Sequence, residues 1–182
     1  GKHMNWSIGD NTGANYLEPS RSPLKNISFL MTLGALLLGI NKYSGLLSAA
    51  ILDAGNEHRL GSHEAPPAIL SVYVGDYLDE ILNHIEGTSK FTDKTLNTIN
   101  HGLEAMPKVV KDISDRNRTS PIAFTGNKFE LRALGGSANG SDAAKILNML
   151  CAYGYRELNK RLKAKKGDMK KQALVVLKDI LK

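Results

Sequence analysis

The chain has 182 residues, 42% of them hydrophobic, enough for one domain with a buried core. Its formal charge is +6, but residues 156–182 carry ten Lys/Arg against three Asp/Glu, a balance of +7 that leaves residues 1–155 at −1. With the basicity confined there and no aromatic residue after Tyr155 to stack on bases, a nucleic-acid-binding domain is disfavoured, and the single cysteine, Cys151, excludes an internal disulfide framework and a multi-cysteine zinc site.

Residues 2–8 alternate loosely and predict a strand, followed by loop through "GDNTGANYLEPSRSP". Residues 23–52 predict one long helix with a break near "NKYSG". Within it the apolar run "ISFLMTLGALLLGI" is 14 residues long, too short to cross a bilayer, and reads as a buried core helix. "AGNEHRLGSHEAPP" is punctuated too densely by Gly and Pro to be anything but loop. A helix is expected over residues 68–86, with Ile69, Val72, Leu78, Ile81, Leu82 and Ile85 on its apolar side, then a polar stretch to residue 108 with a short helix near 95–105. "FTGNKF" sets Gly126-Asn127 between Phe124 and Phe129, a hairpin signature. After the loop "GGSANGS" a helix over residues 142–166, capped by Ser141, and a last helix after Gly167 complete the chain. Opening on Gly1 without an initiator Met and ending inside an amphipathic pattern, the sequence reads as a piece of something longer.

The chemistry-bearing residues gather in loops and at strands. Glu130 and Arg132 are two apart on a predicted strand, so both emerge on one face, as a carboxylate for a cation beside a guanidinium for an anionic oxygen, or as a plain surface ion pair. Arg116 and Arg118 are likewise two apart, with Asp115 a simple ion-pair partner beside them. His3, Asn5 and Ser7 alternate along the first strand and fit a nucleotide-and-metal wall as well as they fit a solvated face. His58 and His63 lack zincin spacing, Arg59 and Glu64 suggest a movable clamp or an ordinary polar loop, and "GDNTG" is no phosphate-binding P-loop because no Gly-Lys-Ser/Thr closes it.

The order of three strings is more specific than any of them alone. G-K-H-x-N-W-S, then N-E-H-R-L-G-x-x-E-A-P-P, then D-R-N-R-T-S-P-x-A-F-T-G-N-K-F-E-x-R resembles the second half of the glutamine synthetase catalytic domain, specifically its type III branch, over residues 1–132. The resemblance implies an α+β fold: part of the catalytic domain shared by glutamine synthetases and guanidino kinases, an antiparallel curved sheet backed by helices. Residues 1–182 would be a partial catalytic domain, with active-site strands, loops and helices over 1–135 and a helical segment over 141–182. It further implies ATP-dependent ligation of ammonia to glutamate through γ-glutamyl phosphate, with ATP and Mg2+ or Mn2+, in a cytoplasmic homo-oligomer with neither nucleic-acid nor membrane partners.

Residue by residue, the resemblance makes His3 a ligand of the metal between the nucleotide phosphates and Glu130 a ligand of a second metal on the glutamate side. Asn5 and Ser7 would contact the nucleotide, and Arg118 the ATP phosphates. Arg59 and Arg132 would hold substrate carboxylates and the acyl phosphate, and Glu64 would close over the intermediate and take a proton from ammonium. Ala123 stands where many family members carry an arginine. The carboxylates that complete both metal sites would lie upstream, so the segment alone is expected to be inactive. Alternatives are a ligase joining another amine to glutamate, a guanidino kinase, and a catalytically degenerate regulatory or structural paralogue.

Overall fold

The computed structural model describes residues 2–52, 70–91, 98–99, 109–110 and 120–182. Strand β1 (Lys2–Trp6) is followed by the loop that leads, through a short 3-10 turn at Pro23–Lys25, into helix α1 (Ile27–Ile51). Strand β2 (Val72–Tyr73), helix α2 (Asp76–Glu86), and strands β3 (Thr98–Ile99) and β4 (Val109–Val110) come next. Strands β5 (Ile122–Phe124) and β6 (Phe129–Leu134) precede helices α3 (Ser141–Lys163) and α4 (Met169–Leu181).

Four strands form a sheet in the order β1-β6-β5-β2, and β3 and β4 pair separately. The β1–β6 and β6–β5 ladders are antiparallel, as expected, but β2 runs parallel to β5. A parallel neighbour requires a crossover, and the chain from β2 to β5 supplies one through α2 and the β3–β4 pair. That pair also corrects the expected short helix near 95–105: Thr98 and Ile99 lie opposite Val110 and Val109 in an antiparallel ladder.

One face of the sheet feeds the core. Met4 and Trp6 of β1, Phe129 and Leu131 of β6, and Ile122 and Phe124 of β5 pack with the helices, and the Phe124 ring meets Phe129 edge-on at 5.3 Å and Phe29 of α1 at 5.9 Å. The β5–β6 turn is the predicted hairpin, with Gly126 at φ +92°, a conformation that a Cβ would strain.

α1 runs 25 residues, longer than its 14-residue apolar run, and is therefore long and apolar enough to cross a membrane. Its surroundings decide otherwise: Phe29, Leu30, Leu33, Leu36 and Ile40 are buried in the core, so α1 is a central packing helix. Two glycines let it approach α3 closely. A Cβ on Gly39 would strike the Leu150 carbonyl, and one on Gly154 the Ala35 carbonyl. The predicted break is real, since Tyr43 has non-helical dihedrals (φ −132°, ψ 31°) within "NKYSG".

The helix expected from residue 68 begins only at Asp76, because Val72 and Tyr73 are drawn into the sheet beside β5 and Gly75, at φ +87°, sets the entry to α2. α3 starts at Ser141 rather than after it. Gly140 is the capping residue, and the Asn139 side chain accepts a hydrogen bond from the Ser141 amide at 3.0 Å, which replaces the expected serine cap. Asp168 caps α4 by accepting from the Lys170 amide at 3.0 Å.

Candidate active site

In the β1–β6 ladder Asn5 lies opposite Glu130, and in the β6–β5 ladder Glu130 lies opposite Ala123. Residues paired in register project to the same face, so these three form a rung on the side of the sheet opposite Trp6, Phe129 and Phe124. Toward the start of β1 the register shifts: Lys2 pairs with Leu134 and Met4 with Leu131, so two steps on β1 match three on β6. The result is a β-bulge in which Arg132 and Ala133 share the position opposite His3. The Arg132 amide donates to the Pro121 carbonyl at 2.8 Å, which ties the bulge to the segment entering β5.

The bulge brings three side chains together. His3 Nδ1 lies 2.8 Å from Glu130 Oε1, and Arg132 Nε donates to Glu130 Oε2 at 2.9 Å. A carboxylate accepts at both oxygens, so Nδ1 carries the proton in this contact. The Arg132 and Glu130 side chains are only 10% and 17% exposed, so this pair is largely withdrawn from solvent, unlike the surface pair the sequence also allowed, while His3 at its edge is 47% exposed. Burial pushes the Glu130 carboxyl up, but the hydrogen bond and charge of Arg132, followed by those of His3, outweigh it and hold the group below the usual carboxylate range. Glu130 is thus kept as an anion.

His3 and Glu130, which the resemblance makes ligands of two metals, are in direct contact here through Nδ1 and Oε1. Ser7, past the end of β1, donates to Asn15 Oδ1 at 2.6 Å and so engages the neighbouring loop. Asn15, which sequence reasoning did not single out, also donates through Nδ2 to the Asn127 carbonyl at 2.8 Å. It thereby fastens the loop after β1 to the β5–β6 turn. Its only trace in the sequence is an asparagine in a polar loop.

No family model matches the chain. Among curated proteins it is 41% identical over 162 residues to the type-3 glutamine synthetase of Dictyostelium discoideum, covering 89% of this chain and 22% of that protein. It is 46% identical over 161 residues to a glutamine synthetase of Bacteroides fragilis strain YCH46, covering 86% of this chain and 22% of the relative. A glutamine synthetase of Butyrivibrio fibrisolvens matches at 40% identity over 183 residues, covering 100% of this chain and 26% of the relative.

By sequence, the chain is similar to a segment of glutamine synthetases. It spans between 22% and 26% of the length of the relatives it matches, and its mixed α/β architecture is compatible with a segment of such an enzyme. The described structure unites His3, Glu130 and Arg132, with Asn5 on the same face. Arg59, Glu64, Asp115, Arg116 and Arg118, like His58 and His63, lie outside the described residues. Among the described residues no group of three or more His, Cys, Asp or Glu side chains is placed to hold a metal. The His3–Glu130 pair supplies two donors, one imidazole and one carboxylate.

Proposed function

We propose that the protein containing this segment joins ammonia to glutamate with ATP, through γ-glutamyl phosphate, to give glutamine. The observation that carries the reading is Glu130 held between His3 and Arg132 on one face of the sheet, in a chain whose curated relatives are named glutamine synthetases. In the reaction an oxygen of the glutamate γ-carboxylate attacks the terminal phosphorus of ATP and ADP departs. Ammonia then attacks the acyl carbon, and the phosphate leaves with the electron pair of the C–O bond.

The chain's residues divide this work. Arg132 keeps the Glu130 carboxylate ionised and fixed in direction, and its guanidinium adds positive charge where a substrate carboxylate or acyl phosphate binds. Arg59 joins it there, Arg118 steadies the ATP phosphates, and Asn5 and Ser7 contact the nucleotide. Glu64 excludes water and takes the proton lost by ammonium. His3 and Glu130 are donors to the divalent cations, each one of a larger set. Their nitrogen-plus-oxygen chemistry suits manganese as well as magnesium, and such a cation neutralises phosphate charge when bound.

The β1-β6-β5 ladders form part of a curved antiparallel sheet of the glutamine synthetase and guanidino kinase type, within a homo-oligomer. A single cysteine, Cys151, suits a reducing cytoplasm. With two metal donors in place, the segment by itself is inactive.

The test is glutamine formation by the complete protein with glutamate, ammonium, ATP and Mg2+ or Mn2+, beside the purified 182-residue chain. Synthesis by the complete protein and none by the segment is the expected result. Preference for another amine, or no ATP-dependent product from the complete protein, overturns the assignment, and glutamine formation by the segment overturns its inactivity.

A further inference from the structure

Ser7 continues the alternation of His3 and Asn5 one step past the end of β1, and it is exposed. Its hydroxyl has one proton to give and two lone pairs to offer, so what it can recognise depends on where that proton goes. The half-buried Asn15 decides this. Its Oδ1 accepts from the Ser7 hydroxyl at 2.6 Å and from the Leu17 amide at 3.0 Å, and its Nδ2 donates to the Asn127 carbonyl at 2.8 Å. These partners leave the amide one orientation. Turned over, Nδ2 would face the Leu17 N–H and Oδ1 the Asn127 carbonyl, donor against donor and acceptor against acceptor. Oδ1 carries no proton, so Ser7 is the donor and its proton is committed.

Asn15 is held in place without help from Ser7. The Tyr16 amide donates to the Ile8 carbonyl at 2.8 Å, Gly9 and Asn15 form an antiparallel bridge, and Leu17 is buried in the core. Asp10 gathers the Thr12 and Tyr16 hydroxyls at 2.6 Å each and stiffens the intervening turn. Among the described residues the Ser7 side chain makes no further hydrogen bond, so its oxygen is left as an acceptor.

We infer that Asn15 is a positioning residue for the nucleotide. By taking the Ser7 proton it makes Ser7 an acceptor that recognises an N–H or O–H donor on the nucleoside part of ATP and offers nothing to ionised phosphate oxygens, which themselves only accept. This rests on the reading of Ser7 as a nucleotide contact. ATP has two sources of such a donor, the exocyclic amine of the base and the hydroxyls of the sugar.

Isothermal calorimetry on the complete protein with Mg2+ compares ATP with purine riboside triphosphate, which lacks the amine, and with 2′-deoxy-ATP and 3′-deoxy-ATP, which each lack one hydroxyl. One of the three is expected to bind about five- to tenfold more weakly than ATP, and which one it is names the donor. Ser7→Ala abolishes that difference. Asn15→Leu, close in size but without an acceptor, releases the Ser7 proton and reduces the difference to about twofold or less, whereas Asn15→Asp keeps the acceptor and the preference. A loop merely loosened by substitution weakens all four nucleotides alike and leaves their ratios unchanged. That result for Asn15→Leu overturns the inference, as do equal wild-type affinities for all four, a preference that survives Ser7→Ala, and its loss in Asn15→Asp. The expected pattern without glutamine formation supports the inference and overturns the reaction assigned above, and an absence of ATP binding overturns both.

Discussion

His3 and Glu130 stand 127 positions apart in the sequence, yet His3 Nδ1 and Glu130 Oε1 are 2.8 Å apart. The β1–β6 ladder produces the contact: Asn5 and Glu130 are paired, and the bulge at Arg132 and Ala133 brings His3 within reach of the same carboxylate. This arrangement makes Glu130 the most informative position to change.

Glu130→Gln keeps the size of the side chain and removes the charge. Glutamine formation by the complete protein is expected to fall by on the order of 100-fold, with metal dependence shifted to higher concentration. Stability should respond with a definite sign. The folded carboxyl titrates below its unfolded value, so its stabilisation is fully present above the unfolded pKa and is lost as pH falls through the folded one. Urea unfolding of wild type and variant should diverge most near neutral pH and converge in acid, and a constant difference at all pH values would refute the electrostatic account.

Gly154 tests the α1–α3 contact. Alanine is favoured over glycine in a helix by about 1 kcal/mol, but here its Cβ would collide with the Ala35 carbonyl, and overpacking costs about 1–3 kcal/mol or more. Gly154→Ala is therefore expected to lower the urea midpoint. Gly45→Ala is the contrast: nothing lies within 4 Å of its Cβ, so the same change in α1 should stabilise by roughly 0.5–1 kcal/mol.

Asp10 organises the loop after β1. It accepts from the Thr12 hydroxyl at 2.6 Å, the Tyr16 hydroxyl at 2.6 Å and the Thr12 amide at 2.9 Å, and these bonds hold its carboxyl down at about 2. The loop should keep its form well below the usual carboxylate range and loosen only as pH falls through about 2. Amide chemical shifts of Thr12 and Ala14 read this directly, and a transition near pH 4 would contradict it.

Cys151 is buried in α3, and desolvation pushes its thiol up to about 12. It should resist alkylation by iodoacetamide at pH 8 in the native protein and react once urea unfolds it. Rapid labelling of the native state would show that α3 opens locally.

Much of the secondary structure was legible because its signals are local. The Gly-Asn turn, the apolar stripe of α3 and the break at "NKYSG" depend on a residue and its near neighbours, and each appears where the pattern puts it. The misplacements arose where a distant partner outbid local preference. Val72 and Tyr73 suit an apolar helix face, but β5 offers a ladder; Thr98 and Ile99 sit in a polar stretch, but Val109 and Val110 pair with them.

The same division holds for the site. The identity of the chemical groups was written in the sequence, because the spacing of His3, Asn5, Glu130 and Arg132 along extended strands fixes which faces they share, and the ordered strings carry the family relationship. That the His3 and Glu130 side chains meet was decided only by tertiary structure. Strand period fixes a face, whereas a bulge is a matter of register between two strands, set by core packing and hydrogen bonding across more than a hundred intervening residues.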